Sequence, residues 1–150
     1  MSRYPTPPPS AVATEVEIPF HDIDVLHVAW HGHYCKYLEL GRTALLRKCQ
    51  LDAPDLHRLG YRFMVAETRV RHVSALRYAD RCRISSWITE VENRIRIQYD
   101  LHNETQGCRA AQGTTVLVTT TAEGALCYET PAPILERLQA VFTPRAENRS

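Results

Sequence analysis

The chain has 150 residues, 44% of them hydrophobic and 23% charged, with a formal net charge of +1. That size suits one domain burying roughly two thirds of its unfolded surface, and a near-neutral balance excludes the basic field of a nucleic-acid binder. No apolar run approaches the roughly 18 residues of a membrane span, and no apolar stretch follows the N-terminus, so neither a span nor a signal peptide is expected. The five cysteines, Cys35, Cys49, Cys82, Cys108 and Cys127, are odd in number, scattered and without a CxxC pair. That pattern argues for reduced thiols in a cytosolic protein.

Residues 2–10 contain four prolines and little that could pack, so residues 1–13 read as a disordered tail. A short strand is expected over 14–20, where Val16, Ile18 and Phe20 alternate, followed by a loop over 21–32. From residue 34 to about 51, Tyr34, Tyr37, Leu38, Gly41, Leu45, Leu46 and Cys49 recur at the spacing of one helix with a broad apolar stripe. A helical turn over 55–59 follows Pro54 and ends at Gly60. The period then changes to two. Strands are expected over 61–77, 81–92 and 94–103, the last with Ile95, Ile97, Tyr99 and Leu101 on one face. Residues 113–121 are apolar enough on both sides for a central strand. Short turns at 91–93 and 104–107 make these strands antiparallel neighbours. Residues 125–129 could add a short strand and 131–142 a terminal helix, with a polar tail over 143–150. The single domain is thus expected over 14–142.

Strand, loop, one long helix and an antiparallel meander make an α+β fold. A helix of roughly 18 residues spans about 27 Å, and strands of eight to ten residues span roughly the same length. One helix can therefore lie along a sheet that curls round it.

The segment over 20–42, FHDIDVLHVAWHGHYCKYLELGR, carries the most chemical information. It holds Asp22-Ile-Asp24, Val28-Ala29-Trp30-His31-Gly32-His33-Tyr34, then Tyr37-Leu38-Glu39 and Arg42. In this wording and register, residues 16 to about 120 resemble the 4-hydroxybenzoyl-CoA thioesterase family of hotdog-fold acyl-thioester hydrolases. The Trp-His-Gly-x-Tyr run is most similar to the members from aryl-polyene and polyketide clusters. One departure is His27, which stands where that family usually has Gly.

The resemblance implies hydrolysis of an acyl-CoA or acyl-carrier-protein thioester, with Asp24 and His31 as the catalytic pair. It implies no cofactor, CoA or phosphopantetheine arriving as part of the substrate. It also implies a homo-oligomer, dimer or tetramer, with the site at a subunit interface. Carboxylates are ionised at neutral pH, so one at position 24 could attack the thioester or activate water. Amides at the start of a helix lack intrahelical acceptors. Aimed at a thioester oxygen they could supply about 3 kcal/mol in the transition state. His31, Gly32, His33 and Tyr34 are the candidates for the oxyanion hole and substrate positioning, with Glu39 near the thiol side. Glu39 and Arg42 could equally pair with each other, and Asp22 reads as a residue that hydrogen-bonds the loop.

Arg69, Arg71, Arg77, Arg81 and Arg83 fall within 15 positions. They are either a solvated sheet face or contacts for CoA phosphates or an acidic carrier. Zinc held by His21, His27, His31, His33 and Cys35 is disfavoured, since structural zinc wants paired ligands at established spacings. Two other functions remain open from sequence: a non-hydrolytic acyl-carrier binding module, and a hotdog 3-hydroxyacyl-thioester dehydratase. Neither nucleic acid nor membrane is expected as a partner.

Overall fold

The computed structural model of the chain describes residues 4–142. The tail over 143–150 and the first three residues of the N-terminal tail lie outside the described residues. Strand β1 (Val12–Glu17) starts before the expected residue 14 and stops short of 20. Pro19 has no N–H to extend the ladder, and Phe20–Asp22 winds into a 3-10 turn instead.

A second 3-10 turn, His31–His33, runs straight into helix α1 (Tyr34–Lys48). All seven residues of the expected stripe, Tyr34, Tyr37, Leu38, Gly41, Leu45, Leu46 and Cys49, are buried. The helix ends earlier than residue 51. Gln50 takes a left-handed conformation, φ 57°, and donates to the Arg47 carbonyl, while the Leu51 N–H reaches back to the Leu46 carbonyl. These two bonds are the Schellman stop, and it buries Leu51 beside Leu46 in the core.

Helix α2 (Ala53–Leu59) begins before the expected residue 55, because Asp52 caps it and Asp55 returns a bond to the Asp52 N–H. Strands β2 (Tyr61–His72), β3 (Arg81–Glu90), β4 (Ile95–Asn103), β5 (Cys108–Thr121) and the two-residue β6 (Leu126–Cys127) follow, then helix α3 (Ala132–Phe142). The strand expected over 61–77 ends at His72, where the Val73 and Ser74 amides both turn onto the Ala110 carbonyl. β5 begins well before residue 113 because its first residues continue the hairpin with β4, pairing Cys108 with Asn103.

The sheet is antiparallel, in the order β1-β3-β4-β5-β2, with β6 beside β5. β1 and β2 therefore occupy opposite edges, and α1 carries the chain between them across one face. That face is the core. Ile95, Ile97, Tyr99 and Leu101 on β4 are fully buried, each contributing about 1.5–3 kcal/mol by its removal from water. Helix and sheet touch closely at Gly41, where a Cβ would lie 2.6 Å from Ile84 Cγ2. The Gly41 carbonyl accepts a bond from Ser86 Oγ at 3.1 Å. From β1 the described part of the N-terminal segment runs back towards the opposite edge, where the Tyr4 ring lies 4.9 Å from the Arg109 guanidinium and 5.9 Å from that of Arg71.

Candidate active site

The loop between β1 and α1 is a tight, self-bonded turn. Ile23 and Ala29 form a bridge, the Asp24 N–H donates to the Val28 carbonyl at 3.0 Å, and the His27 N–H donates to the Asp24 carbonyl at 3.0 Å. Asp24 Oδ1 accepts the Leu26 N–H at 2.8 Å, an Asx-type turn. Among the described residues Asp24 Oδ2 accepts no hydrogen bond, which leaves that oxygen for chemistry. His27 has φ 63°, the left-handed region that glycine enters without steric cost. The loop thus keeps the backbone path a glycine would follow. At its tip Val25 and Leu26 are 92% and 73% exposed.

His31 and Gly32 open the helical run, and among the described residues neither amide donates to a backbone carbonyl. These two N–H groups, at the positive end of α1, are free to meet an oxyanion. Gly32 leaves room for its neighbour: a Cβ there would lie 2.2 Å from the Trp30 ring as it is placed, and the half-exposed indole would have to move aside. The indole folds back over the helix start and packs against both His31, tilted, and His33, edge-on, at 5.3 and 5.4 Å between ring centres.

Asp24 and His31 line one cleft of about 290 Å³, together with Leu26, Tyr34, His72 and Ser74. Tyr34 forms its inner wall and is 3% exposed. Burial pushes its phenol above the usual value, against the pull of a bond to the Leu76 backbone. The Leu76 carbonyl in turn accepts the Ala29 N–H at 2.8 Å, so the loop, the helix start and the 73–80 connection converge on Leu76. The His72 ring packs on Tyr34 at 4.5 Å and faces His31 at 6.5 Å. Sequence reasoning missed His72. Its signal was the strand alternation that sets it on the face of Val70, which packs towards the core.

His33 points elsewhere. Its Nε2 lies 3.8 Å from Asp22 Oδ1, on the other side of the helix start. Asp22 is buried and accepts bonds from Lys36 Nζ and the Tyr37 hydroxyl, each at 2.6 Å. Burial raises its carboxyl, but the bonds from Lys36 and Tyr37 outweigh this and hold it below the usual carboxylate range. His21 and His33 thus face Asp22, His31 faces His72, and His27 sits in the turn. Among the described residues no three His, Cys, Asp or Glu converge as metal ligands.

Glu39 is not beside Asp24 in the protomer. It lies 3.7 Å from Arg42, and both line a second cleft of about 520 Å³ between α1, α2 and the start of β2, walled by Leu46, Leu56, Tyr61 and Phe63. The arginines that cluster in sequence are divided by the topology. Arg69 and Arg71 lie on β2, beside a cleft shared with Gln112 and Thr114, and Arg69 pairs with Glu67 at 2.7 Å. Arg81 and Arg83 are on β3 and pair with Glu15 at 3.3 Å and Glu104 at 2.7 Å. Arg77 is exposed in the connection between those strands, its N–H bonded to Asp80.

Residues 18–142 match the thioesterase-like superfamily. The candidate acyl-CoA thioesterase YneP of Bacillus subtilis is 24% identical over 88 residues, 59% of this chain and 63% of YneP. The chain spans between 50% and 63% of the length of the curated relatives it matches. Among solved structures, the DHNA-CoA thioesterase of Staphylococcus aureus superposes with TM-score 0.73 at 22% identity, over 79% of this chain and 80% of that one. The S. aureus protein SAV2348, solved in complex with CoA, gives TM-score 0.80 at 12% identity, over 94% of this chain and 88% of that one. At these identities the likeness is one of fold, and the fold is the hotdog arrangement of a central helix against a curved antiparallel sheet.

Proposed function

The chain belongs to the thioesterase-like superfamily, and on that premise we propose that it hydrolyses acyl thioesters to a free acid and a thiol. One observation carries this reading: the Asp24 carboxylate shares a cleft with a helix start, and among the described residues one of its oxygens is unengaged and the His31 and Gly32 amides have no backbone acceptor. Asp24 attacks the thioester carbonyl or takes a proton from the attacking water. The two amides bind the oxygen that becomes negative, worth about 3 kcal/mol in the transition state. Tyr34 backs the cleft, Gly32 gives room to the Trp30 indole, and His31 contributes its amide with its ring beside His72.

The working unit is a homo-oligomer, dimer or tetramer, whose protomers join through β2. This strand has 12 residues, its outer edge has no partner among the described residues, and Met64 and Val65 on it are 56% and 48% exposed. A long bare edge is a template for pairing with another strand. Were two copies of β2 to pair antiparallel about a twofold axis through the middle of the strand, its ends would meet, His72 of one protomer beside the start of the partner's β2. The Asp24 cleft of one subunit then abuts the partner's cleft of Glu39, Arg42 and Phe63, which supplies the apolar wall an acyl group needs. Arg69, Arg71, Arg77 and Arg81 are the candidates to meet CoA phosphates or an acidic carrier protein, Arg69 and Arg81 by exchanging their exposed pairs with Glu67 and Glu15. The five free thiols suit a reducing compartment such as the cytosol.

The test is a panel of acyl-CoA and acyl-carrier-protein thioesters, aromatic and aliphatic, with free thiol followed in time and the oligomer measured by sedimentation. Thiol release by a dimer or tetramer supports the reading. Acyl thioesters bound but left intact point to a carrier-binding module, and 3-hydroxyacyl substrates dehydrated without thiol release point to a dehydratase.

A further inference from the structure

We propose that Asp22 is a positioning residue for this site, fixing the distance between the Asp24 carboxylate and the His31 amide through bonds made by both its side chain and its backbone. The inference rests on the hydrolase reading above. Its starting point is a carboxylate with no solvent exposure at the foot of an otherwise exposed loop. Such a charge is costly to bury unless it is fully bonded.

The bonds run to each part that must be aligned. Tyr37, in the first turns of α1, donates its hydroxyl to Asp22 Oδ2 at 2.6 Å. Lys36, its neighbour, donates to Oδ1 at 2.6 Å. His33, one residue before α1, and His21 on the loop bring their Nε2 atoms to 3.8 and 3.6 Å of Oδ1. Lys36, Tyr37, His33 and His21 are the titratable groups that face Asp22. The backbone completes the tie: the Asp22 carbonyl accepts the Trp30 N–H at 3.0 Å, and the Asp22 N–H donates to the Pro19 carbonyl at 3.1 Å.

The consequence follows from chain order. Trp30 directly precedes His31, and Asp24 stands two residues beyond Asp22. One residue therefore holds the segment before the oxyanion amide with its carbonyl, the helix with its carboxylate, and the reacting carboxylate by its covalent neighbour. A buried ion pair adds little net stability over apolar packing. What this one adds is direction and length at fixed bonds, and a misplacement of about 1 Å at a reacting group costs on the order of 100-fold in rate.

The experiment compares Asp22→Asn, Tyr37→Phe, Asp24→Asn and the double variant Asp22→Asn/Asp24→Asn against wild type on the best thioester of the panel, with thermal melting of each. Asp22→Asn should lower kcat by about 30- to 100-fold and Tyr37→Phe by about tenfold, with KM within about threefold of wild type. In the Asp24→Asn background the further loss from Asp22→Asn should be under about threefold, because the group being aligned is gone. A merely structural residue would produce the same loss in both backgrounds, and that result overturns the proposal. Should Asp22→Asn fail to fold, Tyr37→Phe, which removes one bond and no charge, decides alone. Wild-type kcat in both Asp22→Asn and Tyr37→Phe, with Asp24→Asn inactive, overturns the positioning role and leaves the hydrolase intact. No thiol release by wild type on any thioester overturns both.

Discussion

His27 holds the left-handed conformation, φ 63°, that closes the turn begun by Asp24, and its N–H donates to the Asp24 carbonyl at 3.0 Å. A non-glycine residue there carries about 1–2 kcal/mol of strain, while glycine would relieve it at about 0.5–1 kcal/mol of extra unfolded-state entropy. His27→Gly should therefore raise stability by about 0–1.5 kcal/mol and keep thiol release. His27→Val, β-branched and poorly accommodated at positive φ, should lose about 1–2 kcal/mol in urea unfolding and slow hydrolysis.

Gly41 lets α1 rest on the sheet, with Ile84 Cγ2 only 2.6 Å from where a Cβ would be. In an exposed helix Gly→Ala gains about 1 kcal/mol, but overpacking a core contact costs about 1–3 kcal/mol. The clash should offset or exceed the gain, so Gly41→Ala destabilises by up to about 2 kcal/mol. Ile84→Ala should be less harmful in that background than in wild type, a coupling that a double-mutant cycle of denaturation midpoints reads directly.

Much of the fold was readable because its signals are periodic. The stripe from Tyr34 to Cys49 and the alternation over β4 both came through intact. The end of α1 did not, because the chain stops the helix with Gln50 in a conformation usually marked by glycine. The end of β2 was missed for a related reason: residues 73–77 keep a strand-like composition, and only the Ala110 carbonyl, far along the chain, draws the backbone away. At the site, Asp24 and His31 line one cleft. His33 turns to Asp22, and Glu39 opens onto a separate cleft, because helix rotation and not sequence distance decides direction. The arginines over 69–83 parted because β2 and β3 are not neighbours in the sheet.

The Asp22 lock has a pH signature. Burial pushes this carboxyl up, but the bonds from Lys36 and Tyr37, helped by the charge of Lys36 and of His33, hold it below the ordinary value. A depressed carboxyl contributes stability that is complete above its unfolded pKa and is lost as pH falls through the folded one. Wild type should therefore lose stability as pH drops below about 4. Asp22→Asn should show a shallower slope in that window and lower stability at neutral pH, measured by urea midpoints across pH.

The cysteines should separate by environment. Cys35 is exposed on α1, whereas burial pushes the Cys49 thiol up to about 11 and the Cys82 thiol up to about 12, the latter with help from nearby carboxylates. The thiolate is the reactive form. In native protein at pH 8 a maleimide should label Cys35 first, while Cys49 and Cys82 react only after unfolding, as peptide mapping would show.

The most direct measurement is the single-turnover rate of Asp24→Asn beside wild type on the best thioester, with the fold checked by circular dichroism and the oligomer by sedimentation. Loss of a general base or nucleophile costs about 10²- to 10⁴-fold, so a folded, wild-type oligomer with thiol release reduced by that much is expected. Wild-type thiol release from Asp24→Asn would contradict the account.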